Sequence, residues 1–155
     1  MNHETTAWRD RTAVDLSLLV VRVVAGVIFA AHGAQKLFGV FGGPGLAGIT
    51  ADPPDGLGPL GYPVAIGEFF GGLGLIVGFL TRFSAASLIV IMIGAIAMVH
   101  GKNGFFLSNQ GFEYNLALIG LLAPTLIAGP GRFGIGRYVP FINSRRRGRP
   151  VLVLE

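Results

Sequence analysis

The stretch LSLLVVRVVAGVIFAAHGAQKLF, residues 16–38, is long and apolar enough to cross a bilayer, yet it carries Arg22, His32 and Lys36 within it. A transmembrane helix needs roughly 20 mainly apolar residues, so the length fits a span. Arg22, Phe29, His32 and Lys36 also return close to one direction on a helix, which gives the span one polar face. An ionisable group near the centre of a bilayer costs at least about 2.5 to 3.5 kcal/mol, so each of these residues needs a partner, a cavity or a role.

The rest of the chain agrees with lipid as the solvent. It has 155 residues, a mean hydropathy of +0.65, 52% hydrophobic residues and only 13% charged residues. Soluble domains average about 25% charged. Further apolar runs at 61–80, 84–99 and 114–128 give four spans in all, the last two short. The expected fold is therefore all-α, a polytopic four-helix transmembrane bundle: an N-terminal segment 1–15, a membrane domain 16–140 and a basic tail 141–155. Residues 81–83 are too few for more than a tight hairpin turn. Residues 39–60 are punctuated by glycine and proline and should be irregular or re-entrant, and residues 100–113 read as a polar loop containing aromatics.

Cytoplasmic flanks of membrane proteins carry the excess of lysine and arginine. With four spans, Arg9, Arg11, Arg82, Arg132, Arg137, Arg145, Arg146, Arg147 and Arg149 share one side, and Lys36 and Lys102 fall on the other. Both termini are thus expected in the cytoplasm. The tail is adequately explained by topology and anionic lipid, with no nucleic acid required. A cleaved signal peptide is disfavoured for the first run, which continues past its small residues into the polar motif around His32.

The absence of cysteine removes disulfides, thiolate metal sites and cysteine-held iron–sulfur clusters. Two histidines holding a haem would require one large cavity in a small bundle, and no metal site is expected. Gly67, Gly71, Gly74 and Gly78 recur at the spacing that lets helices approach closely in lipid, and Gly26 and Gly33 belong with them. Residues 129–134, GPGRFG, fit GxGxxG but follow a membrane helix, so they read as a helix stop and loop.

Depth indicates which polar residues can meet. At about 1.5 Å per residue, His32 and Glu68 both lie roughly 10 Å below the outer ends of their helices. Gln35, Lys36, His100 and Glu113 fall nearer that surface, so all six can converge on one pocket in the outer half of the bilayer as ligand-binding or proton-handling candidates. The expected pairings are His32 with Glu68 and Lys36 with Glu113. Arg22 lies roughly 14 Å too deep to reach Glu68, and either snorkels toward lipid phosphate or bonds carbonyls at the inner end of a neighbouring helix. It is a buried charge of structural or functional role.

These residues together resemble the DoxX family of small bacterial and archaeal membrane proteins. The resemblance runs from about residue 16 to 140. It rests on Arg22 with Gly26 and Phe29, on His32-Gly33-x-Gln35-Lys36-Leu37, and on Glu68-x-x-Gly71-Gly72 running to Gly78-x-x-Thr81-Arg82. Then come His100, Gly104-Phe105-Phe106, Glu113 and Gly129-Pro130-Gly131. It implies a four-helix bundle crossing a prokaryotic cell (inner) membrane. One branch of the family is similar to the membrane subunit of thiosulfate:quinone oxidoreductase, where electrons pass to a membrane quinone. Another resembles a scaffold that gathers redox enzymes at the membrane under oxidative stress.

Three functions follow as expectations. The first is a redox-associated membrane subunit, not catalytic alone, whose outer pocket takes a quinone as cofactor, with His32 or Lys36 donating to its carbonyl and Glu68 handling protons. The second is a non-catalytic scaffold for oxidative or thiol-stress enzymes. The third is a small-solute or proton carrier, for which four helices leave little room unless the protein forms a homo-oligomer.

Overall fold

The computed structural model describes residues 3–138. The basic run at Arg145, Arg146, Arg147 and Arg149 lies outside the described residues. Among the described residues there are five α-helices: α1 His3–Phe38, α2 Gly45–Ile49, α3 Gly61–Val77, α4 Thr81–Ala95 and α5 Glu113–Ala128. Helix α4 continues through a π turn, Ile96–His100, and a short 3₁₀ turn, Gly101–Asn103. The stretches Arg11–Phe38, Gly58–Val77 and Thr81–Asn103 are long and apolar enough to cross a membrane, and Glu113–Ala128 is a shorter apolar helix. Helices α1, α3, α4 and α5 pack into one bundle, with α1 against α3 and α5, and α4 against α3 and α5.

The core is assembled from Ala25 and Phe29 of α1, Leu75 of α3, Ala85, Leu88 and Met92 of α4, and Leu118 and Leu122 of α5. Large aliphatic and aromatic side chains such as Val24, Val27, Ile66, Phe70, Val90, Ile93 and Ile127 point outward. An apolar exterior around an equally apolar core is the arrangement lipid requires, and α3 and α4 accordingly have no polar side opposite their buried one.

Helix α1 is continuous from His3 to Phe38, so residues 3–15 ahead of the first span are helical and join it without a break. The turn between the second and third spans lies at Gly78–Phe79–Leu80, ahead of the expected Thr81–Arg82–Phe83. Gly78 has φ 80°, a left-handed conformation that closes α3 with its N–H donating to the Gly74 carbonyl at 2.9 Å, and Leu80 has φ 47°. Thr81 then opens α4, and Arg82 in the first turn of that helix donates from Nη2 to the Ile127 carbonyl of α5 at 2.8 Å.

The connection 39–60 is a folded cap and contains α2. Its amides at Leu57 and Gly58 donate to the carbonyls of Ile49 and Ala51 at 2.9 and 2.8 Å, and α2 touches both α1 and α3. It covers the end of the bundle at which Lys36 and Glu68 lie.

Candidate functional site

The register between α1 and α3 is set where residues without side chains let the two backbones meet. A Cβ on Gly33 would overlap the backbone of Phe69, one on Gly72 would overlap Ala30, and one on Gly26 would come within 2.7 Å of the Gly72 carbonyl. Gly67, Gly71 and Gly74 face α4, against Ile91, Leu88 and Ser84. Gly78 sits in the turn, where a Cβ would meet Arg22 and Gly134. The glycines of α3 therefore serve two neighbours, and Gly72 is the one that meets α1.

This register brings Glu68 of α3 under the last turns of α1. Lys36 Nζ pairs with Glu68 Oε2, and the side chains are 21% and 4% exposed. A carboxylate so fully removed from water, in a protein whose exterior is apolar, is held by its counter-charge. Neither expected pairing, His32 with Glu68 or Lys36 with Glu113, is formed: Glu68 takes Lys36. Lysine takes Glu68 because its long stem reaches from one turn closer to the surface, leaving His32 to a different neighbour. His32 lies 6.2 Å, centroid to centroid, from the ring of Tyr114 at the start of α5, with the planes tilted at 59°. Tyr114 in turn lies within electrostatic reach of Glu68.

His32 and Tyr114 also line an open groove of about 420 Å³ between α1 and α5. Val27, Ile28 and Ala31 form its apolar floor, Gln35 and Phe41 its upper end. The Gln35 amide donates toward the Phe41 carbonyl at 3.4 Å, which places the cap residue Phe41 over the groove. The polar groups thus gather at one end and the aliphatic surface runs away from them along α1.

His100 and Glu113 do not join this cluster. His100 Nδ1 donates to the Gln110 carbonyl at 2.8 Å, and Glu113 Oε2 accepts from the Leu107 amide at 2.9 Å. Both organise the connection between α4 and α5. Their place at the same end of the bundle was legible, but their partners are local backbone groups. Tyr114 and Phe41 are the residues that sequence reasoning missed. Tyr114 was detectable as a polar aromatic directly after Glu113 at the start of a short span, whereas Phe41 has no signal in the sequence.

Arg22 occupies a separate place at the other end. Its residue is 1% exposed, and its Nη1 and Nη2 donate to the carbonyls of Pro130 and Phe133 at 3.1 and 3.3 Å. The carbonyl partner expected at a helix end is thus supplied by the loop after α5. That loop is the glycine-rich 129–134 stretch, with Gly129 and Gly131 at φ 83° and 65°. The Gly136 amide donates to the Gly78 carbonyl at 3.0 Å, and the Arg132 amide donates to Asp15 Oδ1 at 3.0 Å. Arg22 therefore ties α1, the α3–α4 turn and the post-α5 loop together.

A bundle of apolar helices with an ion pair buried between two of them and a polar-ended groove opening sideways defines a multi-pass membrane protein. The DoxX family description matches residues 17–101, and the chain belongs to that family. It is similar to a Bacillus subtilis (strain 168) protein named "Putative oxidoreductase CatD", at 32% identity over 67% of this chain and 74% of the relative. It is also similar to the Escherichia coli (strain K12) inner membrane protein YqjF, 28% identical over 79% of this chain and 92% of the relative. A third relative is the Mycobacterium tuberculosis membrane protein Rv3486, 28% identical over 78% of this chain and 80% of the relative. No solved structure matches the chain.

Proposed function

We propose that the protein is a redox-associated membrane subunit whose α1–α5 groove receives the headgroup of a lipid-soluble quinone. The observation that carries this reading is the groove itself. Its volume of about 420 Å³ lies within the range of small-molecule sites, roughly 300 to 1,000 Å³. Its polar end offers His32, Gln35 and Tyr114 as hydrogen-bonding groups, and its aliphatic side opens toward lipid, which suits a polar ring with a hydrocarbon tail. The name borne by the Bacillus relative is in keeping with redox chemistry.

A quinone, when bound, would supply two-electron and two-proton carrier chemistry. The chain's own contribution would be positional. His32 and Tyr114 would donate to carbonyl oxygens, Gln35 would offer a further hydrogen bond at the same end of the groove, and the Lys36–Glu68 pair would hold a fixed charge distribution near it. Lys36 is engaged by Glu68, so the carbonyl donor is His32 or Tyr114. The protein carries electrons only with a partner redox enzyme.

Arg11, Arg82 and Arg132 fall at the Arg22 end of the bundle and Lys36 and Lys102 at the other, so the positive-inside rule orients both termini toward the cytoplasm and the groove toward the outer half of the bilayer.

The test is the quinone content of gently purified protein, measured by mass spectrometry of an organic extract, for the parent and for a His32→Leu, Tyr114→Phe double variant of unchanged helicity. Stoichiometric quinone in the parent and its loss from the variant supports the reading. A parent that carries none, and binds none when titrated with a short-chain quinone, overturns it.

A further inference from the structure

The connection between α4 and α5 carries Phe105, Phe106, Leu107 and Phe112, and three of these are well exposed, Phe106 at 63%. In water such a cluster would be a liability, yet nothing about it is loose. The Phe105 ring packs edge-on against Phe106 and Phe112 at centroid distances of 5.4 and 5.5 Å. Much of the backbone is satisfied from within: the carbonyls of Gly104, Phe105, Phe106 and Leu107 accept from the amides of Phe112, Glu113, Gly111 and Gln110. The Gln110 carbonyl accepts from His100 and Asn103, and the Leu107 amide is taken by Glu113. Irregular backbone is tolerated at membrane depth only when its polar groups are satisfied internally, and the carbonyls of Gly104 to Leu107 meet that condition.

Its level relative to the bundle is fixed by two contacts. Arg82 on the Ile127 carbonyl holds the lower ends of α4 and α5 together, and the Asn115 amide against Met92 Sδ, at 3.5 Å, matches the helices again near the top. Above Met92 the α4 stretch continues to Asn103, roughly 16 Å further, whereas above Asn115 helix α5 ends within roughly 3 Å. Helix α5 alone spans roughly 24 Å against a hydrocarbon core of about 30 Å. The loop therefore descends beside the last two turns of α4, where Met98 and Val99 also point outward.

We propose that residues 105–107 are a membrane-embedded wedge, seated at the acyl–headgroup boundary of the leaflet on the Lys36–Glu68 side and completing the fourth crossing that α5 is too short to make. Phenylalanine and leucine bury at that boundary when polar residues lie beside them, and Ser108, Asn109 and Gln110 reach the headgroups. The occupant of this surface is lipid.

The experiment uses the full chain with Trp8, its single tryptophan, replaced by Phe and a reporter introduced as Phe106→Trp, reconstituted in phosphatidylcholine vesicles. Leu107→Trp serves as a second reporter in the same loop if the first fails to fold. Bromines placed high on the acyl chains should quench most of the emission, bromines near the chain ends should quench less, and iodide should have little effect. Ready quenching by iodide with no effect of brominated lipid would overturn the proposal and leave the cluster to a protein partner. Stronger quenching by the deep bromines would also overturn it.

Discussion

Lys36 of α1 and Glu68 of α3 are paired across the contact where Gly33 and Gly72 let the two helix backbones meet, and the glutamate side chain is 4% exposed. The two charges are far enough from water that neither can be removed alone without leaving the other stranded.

Lys36→Leu or Glu68→Leu alone should therefore destabilise the bundle by about 3 to 5 kcal/mol, while the double substitution should recover most of that loss. Unfolding curves followed by helicity in a detergent titration, combined as a double-mutant cycle, measure the coupling. A coupling near zero would mean that the pair contributes nothing beyond its separate contacts.

Gly33→Ala should weaken the protein by about 1 to 3 kcal/mol, because the added methyl must displace the Phe69 backbone. Gly94→Ala and Gly120→Ala, where a Cβ meets open space, should be neutral or stabilise by up to about 1 kcal/mol through helix propensity alone. Comparing the three midpoints separates close packing from the intrinsic cost of glycine.

Substituting Arg22 with Met should release the loop after α5, since the Pro130 and Phe133 carbonyls lose their donors. Hydrogen exchange read by mass spectrometry should rise at Gly136, whose amide rests on the Gly78 carbonyl of the same assembly, and remain unchanged in α3 near Glu68. Unaltered exchange in the loop would show that the guanidinium does not hold it.

Glu113→Ala should free the Leu107 amide and accelerate its exchange, at a cost of about 1 to 2 kcal/mol including the lost favourable charge at the start of α5. Glu113→Gln, which keeps an acceptor, should retain most of the protection. Equal effects of the two variants would assign the role to the charge instead of the hydrogen bond.

Much of the fold was legible before any coordinates because lipid imposes a simple rule: runs of span length with few charges become helices. The ionisable residues inside those runs could likewise be marked as needing partners, and for Arg22 the carbonyl partner was among the expected alternatives. The loop 100–113 with its aromatics and the GPGRFG stretch were read correctly as connections, although GPGRFG also proved to be the cradle of Arg22.

The sequence by itself determined that this is a helical membrane protein with one polar face on its first span, since length, hydropathy and periodicity are properties of each segment alone. Only the tertiary structure decided that Lys36 takes Glu68, that His32 turns to Tyr114, and that the α3–α4 turn begins at Gly78. Periodicity fixes which way a residue points around its own helix but carries nothing about how far one helix slides along another. That offset is set by where the backbones of α1 and α3 can touch, at Gly26, Gly33 and Gly72, and by the reach of a lysine stem from one turn above.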